Sequence, residues 1–202
     1  NNEITITLSM LSSIFVILAP ADVTPPITRM EVIGPQAQME ARLYVSTSAF
    51  ISFVSTDPVS GRTPTGVMRT EYAIDDLSRF SLYENQFTLS TGAHTVYFRS
   101  QDRGGNVEIT QSSQVNVDGL SPEIIITSPT AGGTFIAKKD LIRISFQVND
   151  NYDPAPSTSA FLSKSVSSNT IAVTNGQEIE PLSIPSGYWS LTVHAADFVG
   201  NF

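Results

Sequence analysis

Apolar and polar residues alternate along most of this chain in short runs, with Gly, Pro, Asn or Asp between them. Between residues 22 and 117 such runs fall at 27–33, 43–46, 50–56, 69–74, 86–90, 95–101 and 107–117. A period of two puts successive side chains on opposite faces of a strand, and no stretch of ten residues keeps a helical spacing. Seven strands in about 95 residues predict an immunoglobulin-like Greek-key β-sandwich. On the strand at 94–100, His94, Val96, Phe98 and Ser100 are expected to face the core, leaving Thr95, Tyr97 and Arg99 outside.

The pattern repeats. Residues 91–106 align without gaps on 186–201, an offset of 95, with Gly92 and Gly187, Asp102 and Asp197, Gly105 and Gly200, and Asn106 and Asn201 identical. Ile51 to Phe53 with Asp57 matches Ile144 to Phe146 with Asp150 at an offset of 93, and Asp22 to Pro26 matches Asp118 to Pro122 at 96. Three segments in one order at nearly one offset predict two tandem copies of one domain, at 22–117 and 118–202.

Composition narrows the setting. Eleven Lys and Arg against nineteen Asp and Glu give a net charge of -8, which repels phosphate backbones and anionic membranes, so no nucleic-acid partner is expected. The absence of cysteine excludes a disulfide framework, thiolate metal sites and a cysteine nucleophile. Residues 10–21 are apolar and end in Ala19-Pro20-Ala21, like a signal peptide, yet the residues before them carry no positive charge and alternate as a strand does. The run is also too short to span a membrane, so no transmembrane segment is expected.

The runs 70–76, 80–83, 92–102 and 105–108 resemble the bacterial Ig-like repeats of leptospiral outer-membrane surface proteins. The second copy, through 121–129 and 187–201, is similar to the related Ig-like repeats of large bacterial surface proteins. The resemblance covers roughly residues 22–202 and implies an extracellular or cell-surface location, with a role as stalk, filament, adhesin element or spacer.

Candidate chemistry is sparse. The Asp-x-x-Gly-Asn motif at Asp102, Gly105 and Asn106, and at Asp197, Gly200 and Asn201, reads as a strand-ending turn, since Gly and Asn tolerate positive φ. It also reads as part of a structural Ca²⁺ site, because sandwich topology gathers Asp118, Asp150, Asp153, Asp197 and Asn201 at one end of copy two. Asp22, Asp57 and Asp102 form a sparser set in copy one. No other cofactor is expected. The two histidines, His94 and His194, fall in different copies, and the scattered carboxylates give no acid pair, so no catalytic residue is assigned and no enzyme is expected.

A carbohydrate platform would draw on Tyr72, Tyr83 and Tyr97 in copy one and Tyr188 in copy two, of which Tyr97 and Tyr188 are the ligand-facing candidates. That supports an alternative role as an accessory carbohydrate- or ligand-binding module of a secreted enzyme, with a host or glycan ligand. The ends of the chain suggest a further role. Copy two stops after its turn motif, lacking a last strand, while residues 1–21 read as the final strand of a preceding domain, with Ile4, Ile6 and Leu8 as its joining residues. Either the chain is a window on a longer repeat array, or that strand completes the open sandwich of the next copy in a head-to-tail filament.

Overall fold

The computed structural model describes residues 21–59, 63–165 and 169–202. The expected strand at 2–18, with Ile4, Ile6 and Leu8, lies outside them. In chain order the strands are β1 (Ile27–Ile33), β2 (Gln36–Met39), β3 (Arg42–Ser46), β4 (Phe50–Thr56), β5 (Val67–Ile74), β6 (Ser81–Leu82), β7 (Gly92–Asp102) and β8 (Gln111–Asp118). They continue as β9 (Glu123–Ser128), β10 (Ile142–Arg143), β11 (Ser145–Asn149), β12 (Ser157–Lys164), β13 (Thr170–Val173), β14 (Glu178–Ile179) and β15 (Trp189–Ala196), with one short 3-10 turn at Pro181–Ser183. The protein is all-β and its sheets are open, as an Ig-like sandwich requires. Among the described residues no helix is long and apolar enough to cross a membrane.

The first half builds two layers. β1 pairs antiparallel with β4, and Phe87 adds to the other edge of β4 through reciprocal backbone bonds with Ile51 of 2.7 and 3.1 Å. The second layer runs β2-β3-β8-β7-β5-β6, with β3 parallel to β8. Ile51 and Phe53 from one layer and Val45, Val96, Phe98, Val115 and Val117 from the other close one core. Burying each such side chain contributes about 1.5–3 kcal/mol. The alternation on β7 puts Val96, Phe98 and Ser100 inside as the pattern predicts, but His94 sits only partly buried at the strand's start. Tyr72 stacks on Phe87 at 4.4 Å and Tyr83 packs edge-on to Phe53, so both rings belong to the sandwich.

Polar groups also sit between the layers. The hydroxyls of Thr28, Ser55, Thr70 and Ser100 form a closed network with O···O distances of 2.6–3.1 Å. Buried Glu108 beside it accepts the backbone N–H groups of Thr28 and Ser100. A buried polar group without partners is costly, so full pairing here favours one register over its neighbours.

The second half repeats the plan with its own core of Ile142, Ile144, Phe146, Ala160, Leu162, Val173, Ile179 and Val193. β9 pairs with β11, β10 with β14, and β12 lies between β13 and β15. Whereas β7 has strands on both sides, β15 pairs only with β12 among the described residues. The halves meet at Tyr44, whose ring lies 5.3 Å from Tyr152 and 5.1 Å from Phe198.

Candidate metal centre

Each of the three repeated segments brings one aspartate to the same end of its sandwich. In the first half Asp22 precedes β1, Asp57 follows β4 and Asp102 ends β7; in the second, Asp118 ends β8, Asp150 follows β11 and Asp197 follows β15. In both groups one carboxylate oxygen from each residue lies within 4.8 Å of the others. Because Asp118 is also the last residue of β8, the second group joins the two halves.

The turn motif holds each group. Asn106 donates through Nδ2 to Asp102 Oδ2 at 2.7 Å and to the Asp22 carbonyl at 3.2 Å, while its backbone N–H reaches Asp102 Oδ1 at 2.8 Å. Asn201 makes the same three bonds at 2.7, 3.3 and 2.9 Å, to Asp197 Oδ2, the Asp118 carbonyl and Asp197 Oδ1. Gly105 and Gly200 have φ of 90° and 89°, a left-handed conformation in which any side chain is strained. The motif is therefore a staple that ties the start of each copy to the end of a core strand, β7 in the first half and β15 in the second. The Asn201 Nδ2 group is a donor committed to that staple, which leaves its amide oxygen as the atom that could serve a cation.

The two groups differ in what else their oxygens meet. In the first, Asp22 Oδ2 accepts the N–H and hydroxyl of Thr65 at 2.9 and 3.3 Å, and Asp57 Oδ2 accepts the Gly66 N–H at 2.6 Å. The Gly104 N–H bonds Thr65 Oγ1 and the Arg103 N–H bonds the Gly66 carbonyl, so this loop is latched to the turn. Gly66 has φ of 84°, a left-handed conformation in which any side chain is strained, and the tip of Arg103 occupies the space beside it. The Asp22 carboxyl is held below its ordinary value by the N–H groups of Thr24 and then Thr65. Burial acts to raise the Asp102 carboxyl, but its bonds from Asn106 outweigh this and hold it low.

The second group has no counterpart of that loop. Asp118 is 0% exposed, Asp197 is buried, and the inner oxygens Asp118 Oδ2 and Asp150 Oδ2 have no hydrogen-bond partner. Asp118 Oδ1 accepts the Leu120 N–H, and Asp150 Oδ1 accepts those of Tyr152 and Asp153. Burial pushes the Asp118 carboxyl above its ordinary value; Leu120 and the Asn151 amide oppose this, and the charges of Asp150 and Asp197 add to it. At separations of 4.8 Å or less, each pair of such charges repels by at least about 3 kcal/mol at an effective dielectric near ~20. No Lys or Arg forms an ion pair with any of the three among the described residues. Asp153 is not one of the three that converge; its Oδ1 caps the Ala155 N–H at 2.9 Å.

The remaining sequence candidates lie apart. Tyr97 is half-buried on β7 with small cross-strand neighbours, Ala73 and Ser112, and Tyr188 is 85% exposed in the other half, so the two rings form no shared platform. His194 stacks on Phe161. His94 has a neighbourhood that its strand position did not reveal: Nδ1 meets Asp75 Oδ2 at 2.7 Å, and Nε2 lies 2.8 Å from the Ser90 carbonyl and 3.3 Å from Ser90 Oγ. This resembles a nucleophile, base and acid in outline. The nearer partner of Nε2 is the Ser90 backbone carbonyl at 2.8 Å rather than Ser90 Oγ at 3.3 Å, so the ring is not aimed at the hydroxyl. The arrangement is a clamp between the start of β7 and the turn at Asp75.

No protein-family profile matches this chain, and no curated protein matches it in sequence.

Proposed function

We propose that the chain is a non-enzymatic structural repeat of a bacterial cell-surface or secreted protein, a stalk, filament or adhesin element in which two Ig-like sandwiches are held at a fixed angle. The observation that carries this reading is the packed junction, where Tyr44 of the first half inserts between Tyr152 and Phe198 of the second. Aromatic contacts of this kind contribute about 0.5–1.5 kcal/mol each beyond their burial, enough to bias one orientation. The repeated Asn staples support it, because each ties a sandwich to the segment that leads into it. The acidic, cysteine-free composition suits an exported repeat.

Among the described residues β15 pairs on one side only, with β12, which supports end-to-end joining, since its other edge can accept a further strand from the same long chain or from another copy. Deleting residues 1–18 separates these cases: a strand-donated filament dissociates, whereas an array segment keeps its oligomeric state.

The test of the main reading is rotational diffusion by NMR relaxation. Both halves are expected to tumble as one elongated body, and Tyr44→Ala is expected to let them reorient separately. Independent tumbling of the unaltered halves would sink it. Reproducible glycan-array binding that is lost on Tyr188→Ala would favour the accessory binding role instead.

A further inference from the structure

We propose that Asp118, Asp150 and Asp197 hold one calcium ion at the junction of the two halves, and that the equivalent Asp22, Asp57 and Asp102 are closed to it by the chain's own Thr65 and Gly66. The acidic residues alone would not carry this. The further observation is that fully buried Asp118 keeps an oxygen without a donor, in a cluster where Asp150 Oδ2 is likewise unpaired. Folded proteins rarely leave buried carboxylate oxygens unpaired, and a cation satisfies both at once. The donors are hard oxygens with no His or Cys among them, which suits calcium rather than a softer transition metal.

The comparison within the chain sharpens the point. Where copy two leaves Asp118 Oδ2 and Asp150 Oδ2 bare, copy one directs two backbone N–H groups and a hydroxyl at Asp22 and Asp57. Only Asp57 Oδ1 stays unpaired there. The protein has thus substituted fixed dipoles for an ion at one of two otherwise equivalent positions. A cation in the second group would bind the last residue of β8 to two loops of the other sandwich, making the angle between the halves calcium-dependent.

Calorimetric titration of the whole chain with CaCl₂ after EDTA treatment tests this, together with urea unfolding followed by Trp189, the sole tryptophan, which packs on the second core. One ion per chain is expected. At 5 mM calcium and a dissociation constant on the order of 10⁻⁴ M, the folded second half should gain about fifty-fold over its unfolded form. Asp150→Asn is expected to abolish both signals and Asp57→Asn to keep both. Asp118→Asn carries the same expectation as Asp150→Asn should the latter not fold. Absence of binding in the unaltered chain, two ions per chain, or loss of binding in Asp57→Asn overturns the proposal. An equal response to magnesium overturns the assignment to calcium.

Discussion

Replacing Asn106 with Ala removes the side-chain half of the first staple and nothing else. Its Nδ2 donates to the carboxylate of fully buried Asp102 at 2.7 Å and to the Asp22 carbonyl at 3.2 Å, so the truncation deletes one charge-assisted and one neutral hydrogen bond. Bonds to charged groups contribute about 1.5–3 kcal/mol and neutral ones about 1 kcal/mol, which gives an expected loss of about 2.5–4 kcal/mol. With a urea dependence of about 1 kcal/mol per molar for a sandwich of this size, the midpoint falls by roughly 3 M. Circular dichroism in urea should therefore split into two phases, the earlier belonging to the first half. The fluorescence of Trp189 serves as an internal reference, because it reports the second core alone and should move far less. The corresponding change at Asn201 should reverse the pattern and shift the tryptophan transition instead. A loss below about 0.5 kcal/mol for Asn106→Ala would refute the view that these bonds hold each sandwich to its leading segment.

Glu108→Ala leaves the Thr28 and Ser100 N–H groups without their acceptor inside the first sandwich, and urea titration should show a loss of about 2–5 kcal/mol, partly restored by Gln. Ile144→Ala, at a fully buried position of the second core, should cost about 2–5 kcal/mol in the Trp189 transition, and Ile51→Ala should cost the first half a similar amount. The Asp75 carboxyl is held below its ordinary value of 3.8, first by the Thr95 N–H and then by His94. Its stabilising effect is therefore present above pH 3.8 and fades as pH falls below that value. Asp75→Asn, tolerated at φ 59°, should lower stability slightly at pH 6, by less than about 1 kcal/mol for so exposed a group, with the difference shrinking as pH falls below 3.8. A gap that persists in acid would show that the carboxylate charge is not what matters.

What the one-dimensional chain determines here is periodicity and repetition. The alternation along 94–100 and its echo along 189–195 identify the core strands because period two is a property of the strand itself. The self-match also identifies, from three separate segments, the six aspartates that converge, since equivalent residues of equivalent folds occupy equivalent places. Other features came only with the fold. β2, reading Gln-Ala-Gln-Met, alternates over only four residues, too short and too weakly apolar a run to mark a strand by itself, and is a strand because it pairs with β3; the segment near Phe87, apolar enough to suggest a strand, keeps only a bridge to Ile51. The meeting of His94 with Asp75, and of Tyr44 with Tyr152 and Phe198, depends on cross-strand and inter-sandwich packing that no local pattern encodes. The difference between the two aspartate groups is of the same kind. Thr65 and Gly66 lie in no repeated segment, and their N–H groups reach the first group only because the residues just before β5 lie against that end of the sandwich. Sequence determined which carboxylates assemble, and tertiary structure decided which of them are left with a charge to satisfy.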